Sequence, residues 1–403
     1  MTAAPAIDHT RTPRLKLLAG RHRRALEGHP WIYSNEVEMT QALKALAPGS
    51  LVEVDSHDGR SLGVGFANPH SLVVCRLIAR EAGVEIDRRF FADRLQKALA
   101  LRRRLYGQPY YRLIHAEADG LPGTVVDRFG GLVVVQLNTA GMDRLTQEFL
   151  AALEATVAPE AIVLKNDSAL RQLEGLPQSV TVAKGVVEPP IELVENGFRF
   201  YADPIQGQKT GWFYDQRDNR RAVAELAAGA RTLDVYSHTG GFGVLAASMG
   251  AHAATLLDRS ELALALAGRA AEANGVAERC RFLVGDAFIE LQRLAKAGER
   301  FDVVVADPPA FVRSKKDLTS GLKGYRKLAQ LAAEVVSPGG FLFAASCSHN
   351  VDAAAFQAEV AHGLGRAGRS ARILRAFGAG ADHPVHPFLP ESAYLKSLLL
   401  QLD

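Results

Sequence analysis

"TLDVYSHTGGFG", residues 232–243, decides how the chain is read. A short apolar strand is expected to end at Asp234, the chain then turns through Gly240-Gly241, and a helical pattern begins at residue 242. A strand that passes through a glycine turn into a helix opens an alternating α/β domain. The chain beyond residue 243 keeps that rhythm. Strands are predicted at "AATLLD", "RCRFLVGD", "FDVVVADPP" and "FLFAASCS", with helices at 242–249, 260–273, 287–296, 321–336 and 352–364. Val-, Leu- and Ala-rich strands separated by helices predict a parallel sheet covered on both faces. Ligands of such a sheet sit at the carboxyl ends of its strands.

Four acids are expected at those ends. Asp234 is followed by a loop in which Ser237, Thr239, Gly240 and Gly241 are candidate ligand contacts, glycine letting the backbone come close. Asp258, 24 residues further on, stands where a carboxylate accepts both hydroxyls of a ribose. Asp286, with Ala287 beside it, stands where an adenine amino group would be met. The fourth strand ends in "ADPPAF", whose prolines remove backbone donors and hold the chain extended around Asp307 and Phe311. One such Asp reads as a turn former; four on successive strands read as a ligand site. No GxGxxG spacing is present, which disfavours a nicotinamide cofactor. Together the four stretches resemble motifs I to IV of class I S-adenosylmethionine-dependent methyltransferases. "ADPPAF" resembles the (D/N)PP(F/Y) signature of nucleic-acid base methylation.

The strand "FLFAASCSHN", residues 341–350, runs straight into Cys347 and His349. Carbon 5 of a pyrimidine is too weak a nucleophile to take a methyl group unaided. A thiolate adding to carbon 6 makes it enamine-like. Such a thiol needs surroundings that lower its pKa, and a neighbouring acid to steady N3. Cys347 and Asp307 are expected on neighbouring strands and fill those roles, with His349 a candidate thiolate partner. The plainer reading makes Cys347 core, as Cys75 and Cys280 are taken to be.

With 48% hydrophobic and 23% charged residues, the 403-residue chain has globular composition, and a net charge of +3 argues for no partner alone. Three scattered cysteines give neither a disulfide framework nor a zinc site. No secretory pattern and no bilayer-length apolar run are present, so a cytoplasmic protein without membrane contact is expected. Basic residues cluster locally. Arg11, Arg14, Lys16, Arg21, Arg23 and Arg24, with His22, face only Asp8 in the first 24 residues, and Trp31 and Tyr33 follow. That segment reads equally as an RNA surface or as a small domain's core. "FVRSKKDLTSGLKGYRK" brings Arg313, Lys315 and Lys316 near the expected reaction centre, either as RNA-backbone contacts or as a solvated loop.

Short, closely spaced strands at 10–80 predict a β-barrel-like domain, and 83–185 a central α+β domain. The latter has a basic-faced helix over 86–104, a hairpin "GTVVDRFGGLVVVQL" and a helix near 141–157. Residues 186–403 form the third domain, entered through a hairpin that turns at Asn196-Gly197.

"HPWIYSNEV", "QGQKTGWFYDQRDNR", "ADPPAF", "SCSHN" and "DHPVHPFLPESAYLK" together resemble the PUA-domain-containing ribosomal RNA large-subunit methyltransferase I family over nearly the whole chain. The resemblance implies a PUA domain, a central domain and a C-terminal class I methyltransferase fold. It implies 5-methylcytosine formation in 23S ribosomal RNA from S-adenosylmethionine, on free RNA or an assembly intermediate, with a homodimer among the expected states. It makes Cys347 the nucleophile, puts the four acids at cofactor and base, and lets Gln216 and Arg217 fold over the cofactor. Two departures stand out. His238 occupies a position more usually aromatic, and Ala310 follows Pro309 where many RNA 5-methylcytosine enzymes carry a second Cys. The rival readings are a guanine methyltransferase that needs no thiol and a non-catalytic RNA-binding assembly factor.

Overall fold

The computed structural model describes residues 12–403, so Asp8 and Arg11 lie outside the described residues. The chain divides into two compact units. One runs to Val187 and takes in Pro384–Pro390; the other comprises Glu188–His383 and Glu391–Asp403.

The first unit contains two sheets. Strands β1 (Arg14–Lys16), β2 (Trp31–Tyr33), β3 (Ser50–Asp55), β4 (Ser61–Ala67) and β5 (Val73–Ala79) are ordered β1-β3-β4-β5-β2, and all pairs except β1–β3 are antiparallel. Alternation along them turns Leu15, Ile32, Val52, Val54 and Val74 into one core. Strands β6 (Tyr110–His115), β7 (Thr124–Phe129), β8 (Leu132–Leu137), β9 (Ala161–Asn166) and β10 (Ser179–Lys184) form the second sheet in sequence order. The expected single helix near 141–157 is broken at Leu145, giving Ala140–Arg144 and Thr146–Val157.

A longer helix, Arg88–Leu105, starts where the Asp87 side chain accepts the Phe90 N–H at 2.8 Å. Its Phe91, Leu95, Ala98 and Leu99 stripe packs with Phe149 and the sheet residues Leu113, Val126 and Val133. Arg102 lies on that buried stripe and is fully matched there. Its guanidinium donates two bonds to Asp119 (2.6 and 2.8 Å) and one to the Arg112 carbonyl (3.0 Å).

The second unit begins with the hairpin β11 (Ile191–Glu195) and β12 (Phe198–Ala202), whose turn residues Asn196 and Gly197 have φ of +53° and +88°. Its main sheet has seven strands: β13 (Arg231–Val235), β14 (Ala253–Asp258), β15 (Cys280–Val284), β16 (Phe301–Ala306), β17 (Val336–Ser346), β18 (Ala371–Phe377) and β19 (Lys396–Leu402). They are ordered β15-β14-β13-β16-β17-β19-β18. The five strands expected from sequence, β13 to β17, form the parallel sheet read for them, and two strands not foreseen, β18 and β19, extend it. β15 through β17 are parallel, but β19 runs against both β17 and β18. The reason lies in the connections: β18 follows a helical crossover, Ala353–Arg366, whereas β19 returns from β18 without a helix.

From β13 the chain winds outward through β14 and β15, then returns to the other side of β13 as β16. The carboxyl ends of β13 and β16 therefore flank the point where strand order reverses, where open α/β sheets bind ligands. Asp234 pairs with Val305 and Val235 with Ala306, which sets Asp307 level with the loop after β13. Among the described residues no helix is long and apolar enough to cross a membrane.

Candidate active site

The loop after β13 is bent hard. Tyr236 and His238 have φ of +65° and +48°, and Gly240 of +84°. Two side chains other than glycine in the left-handed region within three residues mark a loop whose shape serves a purpose. Two carboxylates hold it. Asp234 accepts the Gly243 N–H at 2.8 Å, and Asp258 accepts the His238 N–H at 2.8 Å and the Ser260 N–H at 2.9 Å. Burial pushes Asp234 up to about 7, and the negative charge of Asp307 adds to the rise. Ser237 Oγ is buried in the loop with no hydrogen-bond partner, and Thr239 Oγ1 lies 3.4 Å from His238 Nδ1. His238 packs edge-on to Phe213 at 5.2 Å, and burial lowers its imidazole to about 4.

The glycines, read from sequence as clearing room for a ligand, have that room taken up by protein. A Cβ on Gly240 would lie 2.8 Å from the Ala267 and Val244 side chains, one on Gly241 2.4 Å from Arg220 Nε, and one on Gly243 2.7 Å from Leu256 Cγ. Their bareness lets the helix Gly241–Ser248 approach the sheet. Asp286 caps the helix Ala287–Lys296 through one oxygen, Oδ1 accepting the Phe288 and Ile289 N–H groups at 3.0 and 3.3 Å. Its Oδ2 is in neither bond, and Ala287 is buried.

At the other lip, β16 and β17 are adjacent and parallel, with Ala306 level with Ala344. They deliver Asp307 and Cys347 side by side, and Cys347 Sγ lies 4.0 Å from the Pro308 carbonyl oxygen. Gln216 Nε2 donates to Asp307 Oδ2 at 2.8 Å, and Gln216 Oε1 accepts from Asn219 at 2.6 Å. Gln216 thus orients the acid. Burial pushes Asp307 up to about 7; the charge of Asp215 adds to this, and Arg220, Gln216 and Lys209 oppose it. Arg217, expected over the cofactor, turns to the hairpin instead, with Nε 3.7 Å from Glu195 Oε2.

The turn that holds the thiol is pinned from three sides. Ser348 Oγ bonds the Tyr325 hydroxyl at 2.7 Å and accepts the Val312 N–H at 3.1 Å, and the Ser348 carbonyl accepts from Lys396 Nζ. The expectation of a lowered thiol is corrected. Burial raises Cys347 above its usual value, Asp307 and Asp215 add to the rise, and Lys209 opposes it. His349 is no partner of the thiol: its ring stacks on Tyr394 at 5.2 Å and Nδ1 lies 3.4 Å from the Glu391 carbonyl.

Two cations that sequence reasoning passed over attend the site. Lys209, with φ of +50°, holds Nζ 4.6 Å from the Phe213 ring centre and 6.0 Å from that of Tyr394. Lys396 donates to the Tyr394 carbonyl at 2.8 Å, and burial lowers it to about 8. A signal for Lys396 existed, a lone lysine leading the apolar run "LKSLLLQL". Lys209 offered only its place between two glycines.

The RNA candidates fare unequally. Arg23 pairs with Glu27 at 2.8 Å, and Arg24 pairs with Glu36 at 3.1 Å while stacking on Tyr33. Arg14 pairs with Glu53 at 2.8 Å. The N-terminal cluster is therefore largely neutralised by acids outside it, and Arg21 is exposed and in no ion pair among the described residues. Trp31 is half-buried, its Nε1 donating to Glu117 at 2.7 Å beneath the Arg76 guanidinium. In the second unit Arg313, Lys315 and Lys316 are exposed around the turn Lys315–Asp317, whereas Arg326 is held by Glu359 at 2.6 Å.

Comparison with known proteins gives the family and the fold. Residues 126–401 match the S-adenosylmethionine-dependent methyltransferase family, and residues 15–80 match a PUA-like domain. A protein of Pseudoalteromonas atlantica named ribosomal RNA large subunit methyltransferase I is 35% identical across 96% of this chain and 99% of its own. One of the same name from Klebsiella pneumoniae is 37% identical across 95% and 97%. A solved SAM-dependent methyltransferase from Streptococcus mutans shares the fold at a TM-score of 0.82, with 22% identity over 97% of this chain and 100% of its own.

Proposed function

The chain belongs to the ribosomal RNA large subunit methyltransferase I family, and from that premise we propose that it methylates carbon 5 of a cytosine in 23S ribosomal RNA through a covalent bond between Cys347 and carbon 6. That it is an S-adenosylmethionine-dependent ribosomal RNA methyltransferase follows from the family. The cytosine and the thiol are our reading, and one observation carries it: Cys347 and Asp307 end adjacent parallel strands, with the sulfur 4.0 Å from the motif's own Pro308 carbonyl.

The residues present suit the methyl donor. Ser237 Oγ is buried in the β13 loop with no partner of its own, and the Asp258 carboxylate at the end of β14 and Asp286 Oδ2 at the end of β15 suit ribose hydroxyls and an adenine amino group. When bound, S-adenosylmethionine supplies an electrophilic methyl group. This chain's residues do the rest. Asp307, carrying a proton below about pH 7, donates to N3 of the base, held in line by Gln216. The Cys347 thiolate, favoured by the charge of Lys209 against its burial, adds to carbon 6, and the electron pair displaced to carbon 5 takes the methyl group. Loss of the carbon 5 proton then expels the thiolate. The target base has to leave its stack for Cys347 to reach it.

RNA containing 5-fluorocytidine tests the adduct, because fluorine cannot leave carbon 5 as a proton does. With S-adenosylmethionine present, a protein–RNA species stable to denaturation is expected, mapped to Cys347 by mass spectrometry. No such species at any cysteine sinks the thiol mechanism.

The pH profile tests Asp307. Thiolate formation raises the rate as pH rises, while ionisation of Asp307 removes the N3 donor and lowers it above about pH 7. Single-turnover transfer in the wild type should therefore climb to about pH 7 and then level off, because above it the gain in thiolate is cancelled by the loss of the acid. The Asp307→Asn variant, slower but with a permanent N–H donor, should only climb.

The raised thiol also favours a second reading, methylation of an exocyclic amine on guanine, for which Asp307 suffices and Cys347 is a spectator.

A further inference from the structure

The helix Arg88–Leu105 carries more unmatched positive charge than either the N-terminal basic segment or the turn at Lys315–Asp317. Arg88, Arg89, Lys97, Arg103 and Arg104 are exposed and Arg94 half-buried, and none of the six is in an ion pair among the described residues. Asp93 is the helix's only carboxylate. Arg102, the one arginine facing inward, is the one that is paired. Arg89, Lys97 and Arg104 fall within about 80° of one another around the helix, and their rises put them about 12 and 10 Å apart. The 18-residue helix is about 27 Å long, roughly eight nucleotide rises of one strand.

Beside this face lies a cavity of about 490 Å³ whose lining includes Arg80, Arg94, Lys97 and His386 together with Leu77 and Leu101. Two carboxylates also border it, but Glu117 is already engaged by Arg76 and Trp31, and Asp119 by Arg102. The charge left over is positive. A hollow of this size, lined by both apolar side chains and cations, suits a base packed on the one and its phosphate held by the other.

We propose that the outer face of the helix Arg88–Leu105, with the cavity beside it, is an RNA-docking surface that holds backbone phosphates at Arg89, Lys97 and Arg104 and one unpaired nucleotide at Arg94. The surface rests on the reading that 23S ribosomal RNA is the substrate. It lies on a different unit from Cys347 and supplies affinity, not chemistry.

The test is filter binding of 23S ribosomal RNA transcribed in vitro, from 50 to 200 mM salt, with the full-length protein. The triple variant Arg89→Ala/Lys97→Ala/Arg104→Ala should lose about 2–3 from the slope of log affinity against log salt, since each phosphate contact contributes about 0.7–0.9. Arg89→Lys/Arg104→Lys should keep the slope. Leu101→Trp, which fills the cavity and removes no charge, should weaken binding with the slope unaltered. Wild-type circular dichroism and resistance to limited proteolysis within residues 12–187 mark each variant as folded in the unit that carries the substitutions. A folded triple variant that matches wild type in slope and affinity overturns the surface alone, provided the wild type methylates this RNA. Wild-type protein that binds S-adenosylmethionine yet neither binds nor methylates the RNA overturns the substrate reading and the surface with it.

Discussion

Replacing Cys347 by alanine is expected to lower methyl transfer by about 10³-fold or more, on the order of 4 kcal/mol of transition-state stabilisation. The loss is large because without the thiolate carbon 5 has no electron pair to offer. It should also be confined to the chemistry. Cys347 is only partly buried and belongs to none of the hydrophobic core clusters, and the turn around it is fixed by Ser348, Tyr325 and Lys396. Affinity for S-adenosylmethionine should therefore be unchanged. The check is mass-spectrometric mapping of ribosomal RNA from cells lacking the gene, restored with the wild-type or the Cys347→Ala form. One 5-methylcytosine that returns only with the wild type supports the assignment. Full modification by the variant, at a purine, hands the case to amine methylation.

Glu195→Ala should destabilise the second unit by about 3–5 kcal/mol. Glu195, at the end of β11, is 2% exposed and collects two hydrogen-bond donors, with a second guanidinium nearby. Arg220 donates to it at 2.7 Å and the Trp212 indole at 3.0 Å, with Arg217 at 3.7 Å. Alanine strands a buried guanidinium that is stacked on Trp212 and presses over Gly241. The disturbance should thus reach the start of the helix after β13 and weaken S-adenosylmethionine binding as well. The chain has two tryptophans, one in each unit, so Trp212 fluorescence in a Trp31→Phe background reports this unit's unfolding by denaturant. A loss below about 1 kcal/mol would mean that water reaches Arg220 and that the network is weaker than its geometry implies.

The alternation of strands and helices and the order of the strand-end acids were legible in the sequence, because both are periodic and local. So was the neighbourly placement of Asp307 and Cys347, since consecutive strands of such a domain tend to pair. What escaped was non-local. β18 has an almost wholly exposed side-chain pattern, with Arg372 and Arg375 inside it, so no alternation announces a strand. The basic N-terminal segment looked free because Glu36 and Glu53 approach it only through folding; Glu27, four residues from Arg23, was the one readable partner. Burial of Cys347, which reverses the expected direction of its ionisation, depends on elements that no short window contains.

The antiparallel strand β19 has a consequence for biosynthesis. It lies between β17 and β18, pairing Lys396 with Ser346, one residue before Cys347. A ribosome releases the chain from its amino end, so Cys347 emerges well before the segment that buttresses it. Until the stretch through Leu402 has cleared the exit tunnel, β17 is an open edge and the Ser348 carbonyl has no ammonium to meet. The catalytic half can therefore mature only after synthesis has passed that stretch, and premature termination before Lys396 would leave a thiol-bearing strand exposed to aggregation.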